Sequence, residues 1–326
     1  MSIKVKKIGL LTSGGDAPGM NAAIRAVVRS ALTRGLQVEG IDSGYLGLVE
    51  GNFRALDSKA VGGILQKGGT ILGSSRFPKF NQSTFQQQAL KNLKARHIDA
   101  LIVIGGNGSQ AGADTLSRLG FPVLGLASTI DNDLVGSDIT IGADTALNVI
   151  LESIDRLKVT ASSHRRAIVV EVMGRDCGYL ALMAGLASGA EAILIPEQEE
   201  SFEEILSSIK KAYASGKNNA LIVVAEGSKH SAQKLREELA PYQADLGFKV
   251  RFTILGHVQR GGVPTLFDRV LASRLGAKAL ELLSEGKHGL LVGLQGKEIL
   301  ATPLAEVQGK QKPLNLELLR LCEILV

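Results

Sequence analysis

The sequence predicts an α/β protein of two lobes, each a mostly parallel sheet with helices on both faces, and three observations indicate this class. Short, continuous apolar runs alternate along the chain with longer segments in which apolar residues recur at helical spacing. Continuous apolar strands separated by helices are typical of parallel sheets that are covered on both faces. With 326 residues, 45% of them hydrophobic and 21% charged, the chain is long enough for two cores of ordinary composition.

The individual elements follow from these patterns. The predicted strands are residues 6–12, 36–42, 98–106, 121–127, 166–174, 190–196, 219–227, 250–257 and 289–295. The predicted helices are residues 19–35, 142–160, 202–215, 230–240 and 266–286. No low-complexity stretch marks a linker, so we expect the chain to cross between the lobes more than once, with the active cleft between them.

Composition excludes several classes of function. No apolar run approaches the roughly 20 residues that cross a bilayer, and the apolar stretch near the N-terminus is too short for a signal peptide. Cys177 and Cys322 form no disulfide framework or zinc motif, which favours a cytoplasmic protein. The net charge of +5 is scattered and aromatic residues make up only 4%, so small phosphorylated ligands fit better than nucleic acid.

Two glycine-rich turns are candidate phosphate sites. The first lies in LTSGGDAPGMNAAIR, residues 11–25, where a strand runs through two glycines into a helix. The second, LIVIGGNGSQ at 101–110, leaves the backbone bare at three glycines, and Ser109 is predicted to cap the following helix. Free N–H groups at a helix N-terminus attract phosphate, although each turn alone is equally compatible with a tight connection that binds nothing.

A pair of carboxylates follows the strand at 121–127. Asp131 and Asp133 lie in TIDND, residues 129–133, and in an extended segment both would face one cleft. Two carboxylates beside a phosphate site suit a general base together with assistance to a metal ion. The alternative is a pair of side chains that only shape a loop.

Two further strand ends carry basic residues. In SSHRRAIVVEVMGRDCGYLA, residues 162–181, Arg175 follows the strand and is placed to grip a phosphate. In the segment at 252–276, His257 and Arg260 stand before a pair of glycines and could hold a sugar phosphate. The alternative for Arg175 alone is an arginine on a solvated surface. The alternative for the segment at 252–276 is a glycine turn that only leads into the next helix.

Together these motifs resemble the ATP-dependent 6-phosphofructokinases of the bacterial type. TSGGDAPGMNAAIR, GGTILGSSRF, GGNGS, TIDND, VMGRDCGYLA, AEG and LGHVQRGG occur in that family's order and spacing. The resemblance implies transfer of the γ-phosphoryl group of ATP to the 1-hydroxyl of fructose 6-phosphate, with Mg²⁺ as cofactor. It also implies an ATP-binding lobe of residues 1–142 and 256–305, and a fructose 6-phosphate-binding lobe of residues 143–255 and 306–326.

The resemblance also assigns roles to individual residues. Asp131 matches the general base, Asp133 its helper at the metal site, and Thr129 a residue beside the transferred phosphoryl group. Arg76 and Arg175 match groups that neutralise the charge on the phosphoryl oxygens. The matched nucleotide contacts are Gly15, Tyr45, Arg76, Phe77, Gly106, Asn107, Gly108 and Ser109. The matched substrate contacts are Thr129, Asp131, Met173, Gly174, Arg175, Glu226, His257 and Arg260, with Arg166 and Arg251 reaching the 6-phosphate from a neighbouring subunit. The implied assembly is therefore a homo-oligomer, and in the family it is a tetramer.

Several positions depart from the family pattern. Asn107 replaces the usual aspartate and would be a weak metal ligand, since an amide carries no charge. Gly108 favours ATP over pyrophosphate, because pyrophosphate users commonly have aspartate there, but Ser128 matches neither group. In the effector pocket for ADP or phosphoenolpyruvate, Arg25, Glu191 and Lys217 are kept, whereas Ser58, Ser215 and Lys158 replace stronger phosphate ligands. Alternatives are a pyrophosphate-dependent enzyme, or a catalytically weakened regulatory protein that binds sugar phosphates.

Overall fold

The computed structural model describes residues 5–198 and 200–325 and divides the chain into two compact units. The first unit comprises the residues up to Thr145 together with Arg260–Lys312, and the second comprises Ala146–Gln259 together with the residues from Pro313 onward. The chain thus passes between the units at three points along its length. Among the helices of the described residues, none is both long and apolar enough to cross a membrane.

Strands and helices alternate through most of the chain. The strands are β1 (Lys7–Thr12), β2 (Gln37–Ile41), β3 (Phe53–Ala55), β4 (Ala100–Gly105), β5 (Val123–Ala127), β6 (Arg166–Val172), β7 (Ala192–Leu194), β8 (Ala220–Ala225), β9 (Lys249–Ile254), β10 (Leu290–Gln295) and β11 (Glu298–Pro303). The helices are α1 (Met20–Leu32), α2 (Gly44–Glu50), α3 (Ser83–Ala95), α4 (Asn107–Arg118), α5 (Ala143–Ser163), α6 (Tyr179–Ser188), α7 (Phe202–Ala214), α8 (Ala232–Leu239), α9 (Leu266–Ser284), α10 (Leu304–Val307) and α11 (Glu317–Leu325).

The first unit is built on a seven-stranded sheet in the order β11-β10-β5-β4-β1-β2-β3. Its central strands pair in parallel, and β4 is buried along its whole length, so both faces of the sheet are covered. Only the two edge strands, β3 and β11, pair antiparallel with their neighbours. These two strands were not predicted, because partly exposed edge strands lack a continuous apolar run.

The second unit contains a four-stranded parallel sheet in the order β7-β8-β6-β9. The six residues of β8 are all buried, and α7 and α8 contribute Ile205, Ile209 and Leu235 to the core on one face. The prediction of an α/β fold with mostly parallel sheets is therefore confirmed. In both sheets the carboxyl ends of the parallel strands meet at one edge, and this is where the polar loops lie.

Candidate active site

Three loops meet at the carboxyl edge of the first sheet, because β5, β4 and β1 are neighbouring parallel strands. The Ser109 hydroxyl donates to the carbonyl of Ser13, with 2.9 Å between the oxygens, which joins the loop after β4 to the loop after β1. A Cβ atom added to Gly106 would lie 3.2 Å from Cβ of Thr129, so the loop after β5 is equally close. The two glycine turns and the acidic motif that the sequence predicted thus form one cluster.

Ser109 does not cap helix α4, and this prediction was wrong. The helix begins two residues earlier, at Asn107, with Gly106 at the N-cap position. Ser109 is buried inside the first turn and ties that turn to Ser13. The sequence pattern was misleading because serine is a frequent N-cap residue. Here the Ser109 hydroxyl instead bonds to Ser13 across the carboxyl edge of the sheet.

The start of α4 is open to a ligand. Among residues 5–198 and 200–325, no side chain caps the helix by a hydrogen bond, and the first N–H groups of a helix lack partners within it. A Cβ atom at Gly108 would meet no other atom within 4 Å, so open space lies in front of this turn. By contrast, Gly105 is required for packing, since a Cβ atom there would lie 2.4 Å from the Ser109 hydroxyl oxygen. An open, uncapped helix N-terminus is a suitable anion site.

Tyr45 is buried in the protein and forms a hydrogen bond to the first turn of α4. Its side chain is only 4% exposed, its hydroxyl donates to the carbonyl of Ser109 at 2.7 Å, and its ring stacks on Phe80. Burial raises the pKa of the Tyr45 phenol far above its ordinary value, so the hydroxyl remains a donor. Its predicted contact with a nucleotide stays a prediction, because the described contacts of Tyr45 are made with the protein.

The acidic loop is not extended, contrary to the assumption behind the pairing of Asp131 with Asp133. Asn132 between them has a φ of 52°, in the left-handed region, so the two carboxylates do not follow the alternation of a strand. Asp131 is 2% exposed, and its backbone N–H donates to the Thr129 hydroxyl at 3.2 Å. The loop that carries this buried acid lies beside the open N-terminus of α4, because Thr129 contacts Gly106 at the N-cap.

Asp133 and Asn107 are neighbours at this site. The Asn107 amide nitrogen approaches the backbone carbonyl of Asp133 at 3.4 Å. Oδ1 of Asp133 is buried, and no described residue donates a hydrogen bond to it. The described residues contain no group of three or more His, Cys, Asp or Glu side chains that could hold a metal ion by themselves. An orphaned carboxylate oxygen beside an amide fits Mg²⁺, which uses few protein ligands when phosphates supply the others.

Two arginines border the turn after β1. Arg76 is exposed, and the preceding serines anchor its segment, since the Ser74 hydroxyl donates to the carbonyl of Gly14 at 2.6 Å. Arg260 is 7% exposed, and its Nη1 donates to the carbonyl of Asp16 at 2.7 Å. A Cβ atom at Gly15 would lie 2.7 Å from the same Nη1, so any larger residue would displace this guanidinium from its present position. Phe77 follows Arg76 and packs edge-to-face on Phe85.

A second cluster lies at the carboxyl edge of the second unit's sheet. The Glu226 carboxylate accepts hydrogen bonds from the backbone N–H groups of Gly174 and Arg175, at 3.3 and 2.8 Å. The side chain of Gln259 accepts from the N–H of Met173 at 3.1 Å and is fully buried. The structure thus brings Met173, Gly174, Arg175 and Glu226 together. The sequence analysis did not select Gln259, whose only signal was its place between His257 and Arg260.

Arg166 and Arg251 lie elsewhere in the second unit. Arg166 is the first residue of β6, and Arg251 pairs with Ile168 in the same part of the sheet. The six residue steps from Arg166 to Val172 span about 20 Å of strand. Arg166 therefore lies at the opposite end of β6 from Met173 and Gly174, and Arg251, which pairs with Ile168, is about 17 Å along the strand from Met173, so neither arginine joins that cluster within the chain.

A cavity of about 570 Å³ in the second unit is lined by Glu191, Ser215 and Lys217, three of the predicted effector residues. Their polar groups already bond within the protein. Nζ of Lys217 lies 3.1 Å from Oε1 of Glu191, and the Ser215 hydroxyl donates to the carbonyl of Ala212 at 2.9 Å.

The fold and the first-unit cluster define an α/β enzyme that handles phosphate groups, with an open helix N-terminus next to a buried acid. Residues 7–283 match the family model described as Phosphofructokinase. The chain belongs to the phosphofructokinase family. This agrees with the resemblance found in the seven sequence motifs.

Known proteins resemble the chain over nearly its whole length. A protein from Listeria welshimeri, named ATP-dependent 6-phosphofructokinase, is 49% identical over 321 residues, which are 98% of this chain and 99% of that protein. A protein of the same name from Tolumonas auensis is 48% identical over 98% of this chain and 99% of its own length. The solved structure of phosphofructokinase from Saccharomyces cerevisiae superposes with a TM-score of 0.86 at 39% identity, covering 93% of this chain. This chain spans 45% of that longer yeast chain.

Proposed function

We propose that the chain is an ATP-dependent 6-phosphofructokinase. It transfers the γ-phosphoryl group of ATP to the 1-hydroxyl of fructose 6-phosphate and releases fructose 1,6-bisphosphate and ADP. The observation that carries the proposal is the buried Asp131 beside the open N-terminus of α4. The relatives that carry this activity in their names are nearly half identical to the chain over almost its full length, which supports the same substrates.

Asp131 is the general base in this proposal. The oxygen of the sugar's 1-hydroxyl forms a bond to the γ-phosphorus while the bond from that phosphorus to the bridging oxygen of ADP breaks. The hydroxyl proton passes to the Asp131 carboxylate, and the departing ADP keeps the electron pair of the broken bond. The Thr129 hydroxyl, which accepts from the N–H of Asp131, lies beside the transferred group.

The nucleotide is held by the turns of the first unit. The N–H groups at the start of α4, around Asn107 and Gly108, bind the phosphate chain, and Gly15 in the turn after β1 leaves room for the Arg260 guanidinium beside it. Arg76 carries no hydrogen bond or ion pair with the described residues, so its guanidinium is available to the phosphoryl oxygens. Phe77 and Tyr45 complete the nucleotide side of the site.

Asp133 and Asn107 are the residues that would hold Mg²⁺. When bound with ATP, the ion offsets the charge of the phosphate oxygens. Asp133 supplies a buried carboxylate oxygen, and Asn107 supplies an amide in place of a second carboxylate. Because Asn107 is neutral, we expect it to bind the ion or its water more weakly than an aspartate would.

The sugar phosphate is assigned to Met173, Gly174, Arg175, Glu226, His257 and Arg260. Glu226 already fixes the backbone of Gly174 and Arg175, which indicates a preformed loop. Arg175 adds positive charge for the phosphoryl group in the transition state. This assignment derives from the family resemblance and from the clustering of the first four residues in the second unit.

Arg166 and Arg251 are proposed to serve the active site of a neighbouring subunit, because within the chain they lie far from Met173 and Gly174. The enzyme would then be a homo-oligomer, and a tetramer by family resemblance. Mixed oligomers test this. Asp131→Asn and Arg251→Ala subunits, each inactive alone, should regain activity when mixed and reassembled. If the mixture stays inactive while forming hybrid oligomers, the shared site is wrong.

We expect a weak response to ADP and phosphoenolpyruvate. In the cavity that contains Glu191, Ser215 and Lys217, the carboxylate and the ammonium bond each other and the serine bonds the backbone. Lys211 also lines this cavity, but Glu200 and Glu204 line it too, so acidic side chains outnumber basic ones and little net positive charge is left for a phosphate. A steep, saturable activation by ADP would contradict this expectation.

The proposed reaction is tested by coupling product formation to a spectroscopic signal with fructose 6-phosphate as acceptor and ATP or pyrophosphate as donor. Turnover with ATP and none with pyrophosphate is the expected result. Turnover with pyrophosphate alone would favour the pyrophosphate-dependent alternative. A protein that binds fructose 6-phosphate and turns over neither donor would be the regulatory alternative.

A further inference from the structure

Asn132, between the two carboxylates of the acidic loop, has a backbone conformation that needs support. Its φ of 52° lies in the left-handed region, and its side chain is 2% exposed. A non-glycine residue in this region is uncommon and persists when its surroundings hold it there. The directions of Asp131 and Asp133 depend on the turn that Asn132 makes.

Three other residues hold the amide of Asn132 by hydrogen bonds. Its Oδ1 accepts from the backbone N–H of Thr140 at 3.0 Å and from Nζ of Lys312 at 3.1 Å. Its Nδ2 donates to the carbonyl of Asp138 at 3.1 Å. The Thr140 hydroxyl donates to the carbonyl of Thr129 at 2.6 Å, which closes the loop from the other side.

Lys312 is the distant member of this arrangement. It is 180 positions from Asn132 in the sequence, after the short helix α10, and its Nζ donates both to Asn132 Oδ1 and to the carbonyl of Asp138. The side chain is only partly exposed, so its ammonium is less screened than a surface charge. Hydrogen bonds with a charged donor are stronger than neutral ones.

We propose that Lys312 is a positioning residue for catalysis, which holds the left-handed turn at Asn132 and thereby orients Asp131 and Asp133. The inference rests on the proposed function, because it assigns Lys312 to the general base of that reaction. Without the ammonium, Asn132 Oδ1 keeps the backbone N–H and the hydroxyl of Thr140 as donors, but the turn loses its charged anchor. The carboxylates then sample directions that do not suit proton transfer.

Matched variants test this inference. Lys312→Met removes the ammonium, and Lys310→Met is the control, because Lys310 lies two residues away on the same segment with its side chain exposed. We expect kcat of Lys312→Met to fall by about tenfold or more, since displacing a reacting group by about 1 Å can cost on the order of a hundredfold. The KM for ATP should stay within about twofold, because the nucleotide turns are untouched. Lys310→Met should retain wild-type values.

A double variant identifies the route of the effect. Asn132→Gly keeps a residue that accepts the left-handed conformation but removes the amide on which Lys312 acts. If Lys312 works through Asn132, adding Lys312→Met to Asn132→Gly should lower kcat no further. Losses that multiply fully would overturn the proposed route.

Amide hydrogen exchange separates this inference from the proposed reaction. The Thr140 N–H bonds the Asn132 amide, so its exchange should be faster in Lys312→Met than in Lys310→Met. Equal exchange and equal kcat in the two variants would overturn the inference while the reaction of the wild-type protein stands. A wild-type protein without turnover of ATP and fructose 6-phosphate would overturn the proposed function, and the exchange result would still decide whether Lys312 holds the loop.

Discussion

Replacing Gly108 by aspartate should strongly impair the use of ATP without harming the fold. Gly108 is the second residue of α4, and a Cβ atom there meets nothing within 4 Å. A carboxylate in the first turn of a helix is favourable by about 0.3–1 kcal/mol, and removing a glycine from a helix gains about 0.5–1 kcal/mol more. The free energy of unfolding should therefore be unchanged or slightly raised.

The loss of activity follows from charge. A carboxylate about 4 Å from one phosphate charge costs about 4 kcal/mol at an effective dielectric constant of about 20. That energy corresponds to nearly a thousandfold change, and screening by Mg²⁺ and salt reduces it. We therefore expect kcat/KM for ATP to fall by roughly a hundredfold to a thousandfold for Gly108→Asp.

The assay measures ADP release over a range of ATP concentrations, alongside urea unfolding of the same protein. Gly108→Asn is the matched control, because it adds the same volume without the charge, and Gly108→Ala tests the effect of Cβ alone. Asparagine should cost much less than aspartate. A folded Gly108→Asp protein with kcat/KM for ATP within about threefold of wild type would refute a phosphate chain at this turn.

Three further substitutions test other parts of the site. Asn107→Asp should lower the Mg²⁺ concentration needed for half-maximal activity, because it adds a carboxylate beside Asp133, and an unchanged requirement would count against a metal role for Asn107. Gly15→Ala places a Cβ atom 2.7 Å from Nη1 of Arg260, so kcat/KM should fall by about tenfold for both ATP and fructose 6-phosphate. Unchanged kcat/KM for both substrates would contradict the assignment of Gly15 and Arg260 to the binding site. Burial raises the pKa of Asp268 from 3.8 to about 6, so its stabilising contribution is complete below pH 4 and is lost as the pH rises through 6. Urea unfolding of wild type and Asp268→Asn should show their difference in unfolding free energy falling by about 2 kcal/mol from pH 4 to pH 7, and a constant difference would refute the shift.

The sequence predicted the strands with continuous apolar runs and the loops that follow them. In β4, Leu101 and Val103 are buried on one face of the sheet, and Ile102 and Ile104 are equally buried on the other. Burial on both faces gives this strand a continuous apolar sequence, which is typical of a central parallel strand. The edge strand β11 alternates in exposure and pairs antiparallel, and no local pattern identified it.

The site was only partly predictable for physical reasons. Glycines and acids follow the strand ends in the sequence, and this local pattern identified the loops of the first-unit cluster. The left-handed turn at Asn132 depends on Lys312, which is far along the chain, so no local spacing could reveal it. Ser109 was misassigned because its hydroxyl bonds to Ser13 across the sheet rather than to the start of its own helix.

The central claim is that a buried carboxylate deprotonates the sugar's hydroxyl while the helix N-terminus holds the phosphates. Asp131→Asn keeps the shape of the side chain and removes its basicity. We expect its kcat to fall by about a hundredfold to ten-thousandfold, with KM values for ATP and fructose 6-phosphate within a few-fold of wild type. A folded Asp131→Asn protein whose kcat equals that of the wild type would contradict the account.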